Sequence, residues 1–306
     1  MSRVVILGVF VADTSYRAAR PPRIGETIMG DSFVLGPGGK GSNQAVAAAQ
    51  AGAETYIITR LGRDPFADMA LATWAKAGVI AAITQHDDSY TGAAYIFVEA
   101  ATGNNAIIVC PGVAGTISDA DIEARRDLIA SAAVFVTQLE QPLPAALRAL
   151  QIARAAGVRT ILNPAPAAAL PAGMLGLCDY VTPNESEAEA LTGLPVTSVA
   201  AAITAAKALR AAGAGAAIIT LGDKGALYHD GAQTVHVPVF NAGPVVETTG
   251  AGDAFNGGFA AALARGADPV AAVRFGCATA SISVTRPGTA PSMPSRSEIE
   301  ALLARG

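Results

Sequence analysis

The feature that most limits the folds open to this chain is a regular alternation of short apolar runs with longer helix-patterned stretches. Residues 133–138, 160–163, 180–182 and 216–221 read as strands, and residues 143–156 and 199–212 read as helices. The N-terminal half repeats the theme, with strands over 4–9 and 55–60 and helices over 45–51, 65–78 and 118–130. Unbroken apolar runs suit strands buried on both faces, and helices between them imply a mostly parallel sheet with right-handed crossovers. Such α/β sheets bind ligands at the carboxyl ends of their strands. Asp13, Glu140, Asn163, Asn184, Glu187, Thr220 and Asp253 all fall at or just after those ends.

Two stretches break the alternation. Residues 14–35 carry Arg17, Arg20, Pro21, Pro22 and Arg23, which exclude a helix, while residues 26–29 and 32–35 suit short exposed strands. Residues 91–110 again suggest short strands, joined by a Thr102-Gly103-Asn104-Asn105 turn. Both are assigned to one small lid.

Composition excludes several classes. Only 15% of the 306 residues are charged and the formal net charge is −4, so no basic stripe exists to bind nucleic acid. No apolar stretch is long enough to span a membrane, and the first apolar run is read as a strand and not as a signal peptide, which points to the cytoplasm. Cys110, Cys178 and Cys277 are odd in number, far apart and set among apolar residues, so they are expected to be reduced core side chains. His86, His229 and His236 show no metal-ligand spacing.

Chemistry concentrates in two glycine-rich stretches. Thr248-Thr249-Gly250-Ala251-Gly252-Asp253 precedes Phe255, Phe259 and Leu263 at helical spacing, with Gly266 as a stop, so a helix is expected from near Asp253. Its first turn offers free N–H groups, a positive dipole end and side-chain-free backbone to an anion. A plain helix cap is the competing reading of Asp253. Gly36-Pro37-Gly38-Gly39-Lys40-Gly41-Ser42-Asn43-Gln44 also runs into a helix, but Gly41 after Lys40 and Val34 at the first glycine position fail the P-loop pattern. Lys40, Asn43 and the loop amides are free to bind hydroxyls, and a plain tight turn with an Asn in the first helical turn is the competing reading.

Taken together, residues 38–45, 138–140, 162–166, 182–189, 220–222 and 249–253 resemble the ribokinase/phosphofructokinase-B family of carbohydrate kinases, in family order along nearly the whole chain. The resemblance implies a single domain over residues 1–306, a three-layer α/β/α core and a small β-sheet lid. It implies transfer of the ATP γ-phosphoryl group to the primary hydroxyl of a pentose, with D-ribose the leading acceptor. Asp253 would take the hydroxyl proton, and the amides of Gly250, Ala251, Gly252 and Asp253 would form the anion hole. A carboxylate at a helix N-terminus is expected to be a weak base, which leaves most of the catalytic burden to that hole. The sugar set carried over is Asp13, Gly39, Lys40, Gly41, Ser42, Asn43 and Glu140. Asn184 and Glu187 would act on Mg²⁺ and its waters, and Thr220, Leu221, Gly222, Asp223, Lys224 and Gly225 would form the nucleotide loop, with Cys277 near the adenine. Glu247, Thr249, Ser283, Arg286, Gly288 and Ser292 match the family's K⁺ site.

Three positions depart from the family pattern. Val11 stands where an Asn is usual, removing a hydroxyl contact; Glu247 replaces an Asp; Cys277 replaces a His found in some members. A 2-deoxypentose, another furanose such as fructose, or a nucleoside are the alternative acceptors, and a silent sugar-binding protein is the reading from a different class. Exposed lid strand edges suggest a homodimer formed through the lids.

Overall fold

Residues 4–7 send side chains alternately to two apolar clusters on opposite faces of one sheet, Val4 and Ile6 to one, Val5 and Leu7 to the other, and all four are fully buried. Burying such branched side chains contributes about 1.5–3 kcal/mol each, so this short run anchors the core. The computed structural model describes residues 3–305; Met1, Ser2 and Gly306, which the single-domain expectation included, lie outside the described residues.

The first part of the chain forms β1 (Arg3–Leu7), β2 (Val11–Ala18), β3 (Ser32–Gly38), α1 (Lys40–Gln50), β4 (Glu54–Leu61), α2 (Pro65–Ala77), β5 (Ile80–Gln85), β6 (Thr91–Glu99) and β7 (Asn105–Gly112). Then come α3 (Asp119–Glu123), α4 (Arg126–Ala130), β8 (Val134–Thr137), α5 (Leu143–Ala155), β9 (Arg159–Leu162), β10 (Tyr180–Val181), α6 (Glu185–Thr192), α7 (Val199–Ala211) and β11 (Ala216–Thr220). The last third holds β12 (Ala226–His229), β13 (Thr234–Val237), α8 (Ala251–Ala264), α9 (Pro269–Ser283) and α10 (Arg296–Leu303).

The large sheet has the order β13-β12-β11-β10-β9-β8-β1-β4-β5; every pairing from β11 to β5 is parallel, and only β12 and β13 run against their neighbours. Helices cover both faces, which gives the expected three layers. The chain leaves β1 towards β4 on one side and returns at β8 on the other, so the strand order reverses between β8 and β1, where such sheets leave a crevice. A second sheet, β3-β2-β6-β7, is the lid.

Several expectations need correction. Asp13 does not tip the first core strand, because β1 ends at Leu7 and Asp13 lies on lid strand β2, paired with Gly36 and Ala94. Residues 26–29 are not a strand, since Glu26 is engaged by the Arg20 guanidinium and the Arg23 N–H within a loop. The helix expected over 118–130 is two short helices with Arg125 between them, its side chain donating to the carbonyls of Ala82 and Ile83. Cys110 is exposed on lid edge strand β7, unlike buried Cys178 and Cys277. Strands β5, β12 and β13 and helices α9 and α10 add to the elements that the sequence pattern marks.

Helix α8 is buried almost all round, between α1 and α9. Gly257 makes that possible, because a Cβ there would lie 2.4 Å from the Ala47 Cβ and 2.6 Å from the Gln44 carbonyl oxygen. Gly257→Ala should therefore lower stability in urea unfolding by about 1–3 kcal/mol, the scale of overpacking a filled core, although alanine is the better helix former.

Candidate active site

Two helix N-termini converge below the lid. Gly39 caps α1 at φ 87°, and a Cβ there would lie 2.5 Å from the Val9 carbonyl oxygen, so only glycine lets the loop turn so close to the end of β1. Glu140, just beyond β8, accepts the backbone N–H of Lys40 at 2.8 Å and so occupies the positive end of α1. Asp13 reaches from β2 over Gly38, where a Cβ would meet its Oδ2 at 2.1 Å.

Helix α8 supplies the opposite wall. Gly250 is its N-cap at φ 80°, and no side chain caps the helix. Asp253 is therefore not the cap that the plain reading made it; it sits in the first turn, 7% exposed, with its carboxylate turned towards α1. Asn43 Nδ2 donates to Oδ2 and Gln44 Nε2 to Oδ1, each at 3.0 Å. Next to it Gly252 is exposed, and a Cβ there would meet nothing within 4 Å, so the helix end stays open to a ligand.

The electrostatics are those of a crowded acidic cleft with one cation. Burial raises Asp13 to about 6, helped by repulsion from Asp253. Burial also raises Glu140 to about 7, against the attraction of Lys40. Asp253 is pushed up by burial, more than Lys40, Gln44 and Asn43 pull it down, so it is a stronger base than its helix position alone implied. Burial opposes the charge of Lys40, yet Asp253, Glu140 and Glu187 outweigh that and raise its pKa.

The side expected to take the nucleotide starts from α6. Asn184 and Glu187 form a capping box in which Asn184 Oδ1 accepts the Glu187 N–H and Glu187 Oε2 accepts the Asn184 N–H, both at 2.9 Å. A backbone bridge sets Asn184 beside Thr220, which brings the residue 220–225 turn next to the box. Gly225, at φ 91°, is required there, since a Cβ would lie 2.0 Å from the Val237 carbonyl oxygen. Gly222, Asp223 and Lys224 are exposed, whereas Leu221 is buried in the α6/α7 core.

Other expected site residues lie differently. The Ser42 hydroxyl accepts the Trp74 indole N–H at 2.9 Å in the core, so it does not face the cleft, and Gly41, without a side chain, packs closely on Gly8. Cys277 is buried in the α8/α9 core. Glu247 accepts the Gly288 N–H at 2.8 Å, tying two loops beside α8, and Thr249 is exposed. Arg286 pairs outward with Glu298, and the hydroxyls of Ser283 and Ser292 bond locally to the carbonyls of Ala280 and Thr289.

For metals the donor set is sparse: among the described residues no group of three His, Cys, Asp or Glu could hold an ion. Glu187 keeps one carboxylate oxygen outside its capping bond, which fits Mg²⁺ carried mainly by phosphates and water. The Glu247–Gly288 junction fits a monovalent cation held by scattered oxygens less directly, because one Glu247 oxygen is already bonded.

Gln44, Gln138, Asn163 and Asn256 also gather around Asp253: the first three lie inside the stretches that carry the family resemblance, Asn163 being also a polar group at a strand end, and Asn256 lies just beyond one. Gln44 donates to Asn163 as well as Asp253, and Asn256 ties Thr182 to the Gly252 carbonyl.

The raised pKa of Glu140 has a consequence for stability. A carboxyl that binds its proton more tightly when folded contributes stability that is fully present below its ordinary value of 4.5 and lost as pH rises through about 7. Glu140→Gln should raise the melting temperature of the ligand-free protein by several degrees at pH 8 and barely at all at pH 4, as read by calorimetry.

Comparison with known proteins gives this geometry a family. The model of the pfkB family of carbohydrate kinases matches residues 1–296. A ribokinase of Staphylococcus aureus is 37% identical over 301 residues, covering 97% of this chain and 98% of that one. A deoxyribokinase of Salmonella typhi is 35% identical over 294 residues, covering 95% of each. The structure of Arabidopsis thaliana ribokinase complexed with ribose and ATP superposes with a TM-score of 0.91 at 30% identity, covering 98% of each chain. With its fold, its paired helix ends and its match along nearly all of its length, the chain belongs to the pfkB family of carbohydrate kinases.

Proposed function

We propose that this kinase transfers the γ-phosphoryl group of ATP to the primary hydroxyl of a pentose, with D-ribose as acceptor. The observation that carries the reading is Asp253, a buried carboxylate with both oxygens held by amides of α1, at the open N-terminus of α8 and opposite Asp13 of the lid. Asp13, Glu140, Lys40 and Asn43 offer the sugar charged and neutral partners, as a buried polyol requires. The Asn43 Oδ1 is buried with no partner among the described residues, which leaves an acceptor for a sugar hydroxyl.

In the reaction the sugar oxygen forms a bond to the γ-phosphorus, the bond to the β,γ-bridging oxygen breaks, ADP leaves, and Asp253 receives the hydroxyl proton. The backbone N–H groups of Gly250, Ala251, Gly252 and Asp253, with the α8 dipole, stabilise the phosphoryl charge. The turn over residues 220–225 takes the nucleotide, with Cys277 behind it. Mg²⁺, when bound, neutralises phosphate charge, with Asn184 and Glu187 on its water shell. A K⁺ beside α8 would draw on Glu247, Thr249, Ser283, Arg286, Gly288 and Ser292, chiefly through carbonyl oxygens.

Val11 supports a second reading, 2-deoxyribose. It opens β2 two residues before Asp13, is buried and packs with the core, and it offers nothing to a sugar hydroxyl. Among the relatives both a ribokinase and a deoxyribokinase occur at similar identity.

A coupled assay for ADP tests the whole reading. Asp253→Asn should keep sugar affinity while turnover falls ~10²-fold or more, the scale of a lost proton acceptor; unchanged turnover would overturn it. Ribose, 2-deoxyribose, fructose and adenosine compared side by side, with K⁺ or choline as cation, decide the acceptor and the ion. Val11→Asn should shift preference towards ribose, and an unshifted ratio removes Val11 from specificity.

We also propose a homodimer through the lids in the cytoplasm. Tyr16, Phe33, Leu35, Tyr95 and Ile108 share one lid face by register and are exposed, with Tyr16 in ring contact with Phe33 and Tyr95. An apolar cluster of this kind on a narrow sheet fits a partner surface. Sedimentation should show a dimer at micromolar protein, and Tyr16→Glu with Ile108→Glu should yield monomer.

A further inference from the structure

We propose that Gln44 is a positioning residue for the phosphoryl transfer, holding the Asp253 carboxylate in the orientation that receives the sugar proton, and that Gln138 locks the Gln44 amide in the required sense. The inference rests on the role of Asp253 proposed above.

The orientation follows from a buried chain of amides anchored on the backbone. Asn163 Nδ2 donates to the Thr182 carbonyl at 3.1 Å, and a carbonyl can only accept, so Asn163 must present Oδ1 to Gln44. Gln44 must then turn its NH₂ that way, and it uses one N–H for Asn163 Oδ1 and one for Asp253 Oδ1, both at 3.0 Å. Its Oε1 is left facing Gln138 and accepts Gln138 Nε2 at 2.6 Å. Gln44 and Gln138 are fully shielded from solvent, so water does not compete for these bonds. Room for the chain comes from two glycines, because a Cβ on Gly8 or Gly41 would lie 2.5 or 3.0 Å from the Gln138 Oε1.

The geometry separates two jobs that sequence neighbours on α1 perform. Asn43 is partly committed to Asp253 and has an acceptor oxygen free for the sugar, whereas every polar atom of Gln44 is spent on protein partners. Gln44 therefore acts on the reaction only through Asp253. Its N–H also favours the ionised carboxylate, in a cleft where Lys40 of α1 attracts that charge and Asp13 of β2, Glu140 beyond β8 and Glu187 of α6 repel it.

Gln44→Met removes the donors at nearly constant volume. Turnover should fall at least ~10-fold, the scale of one charge-assisted hydrogen bond, and the acid limb of the kcat profile should rise by about one pH unit, with ribose affinity by calorimetry within about threefold of the parent. Gln138→Met, which frees the Gln44 amide to turn, should move the limb in the same direction by less. An unmoved acid limb in Gln44→Met, with or without a loss of turnover, reduces Gln44 to a structural residue and overturns the proposal. Should that variant not fold, Gln138→Met decides by the same limb. If Asp253→Asn turns over normally, the assignment of the base fails; if Asp253→Asn is inactive and Gln44→Met behaves as the parent, the present inference alone fails.

Discussion

Everything in the cleft depends on how closely α1 and α8 approach each other. These helices leave different ends of the chain, and their amide and carboxylate groups meet across a sequence separation of 210 residues. The approach is set by an absent side chain at Gly257, against which Ala47 and the backbone of Gln44 close. A larger residue would not merely cost packing energy; it would separate Asp253 from both of its donors. Core packing and site geometry are thus one constraint in this protein.

The second organising effect is the cost of keeping carboxylates together out of water. Asp13, Glu140, Asp253 and Glu187 all have raised pKa values, with burial the leading cause in each. Lys40 is the cation that faces them, and α1 and α8 add their dipole ends. Under the proposed function a polyol would supply hydroxyl donors to these carboxylates. Gathering these buried carboxylates costs stability in the ligand-free protein, a familiar balance at catalytic centres.

How much of this was legible in the sequence varies with the physical signal. The inner parallel strands announce themselves because both faces are buried, as at residues 4–7 and 216–219. Edge strand β5 does not, because its residues are only partly covered and lack either periodicity. Helix α9 was missed for the opposite reason, being so buried that its apolar residues form no stripe. The stretches around Asp253, Asn43 and Asn184 could be picked out from glycines and polar residues at element ends. Their mutual arrangement could not, since it depends on side-chain bonds such as Gln44 to Asn163 and Ser42 to Trp74 that join distant segments. Asp13 shows the limit most plainly: its importance was readable, but only the break at residues 8–10 assigns it to the lid.

That assignment has an outcome for fidelity. Because Asp13 sits on a strand of the small sheet over the cleft, the group that faces Asp253 and the roof of the cleft are one element of the chain. Under the proposed function, a sugar bonded to Asp13 would also favour the arrangement in which the small sheet covers the cleft. That coupling would favour transfer to the sugar over transfer to water.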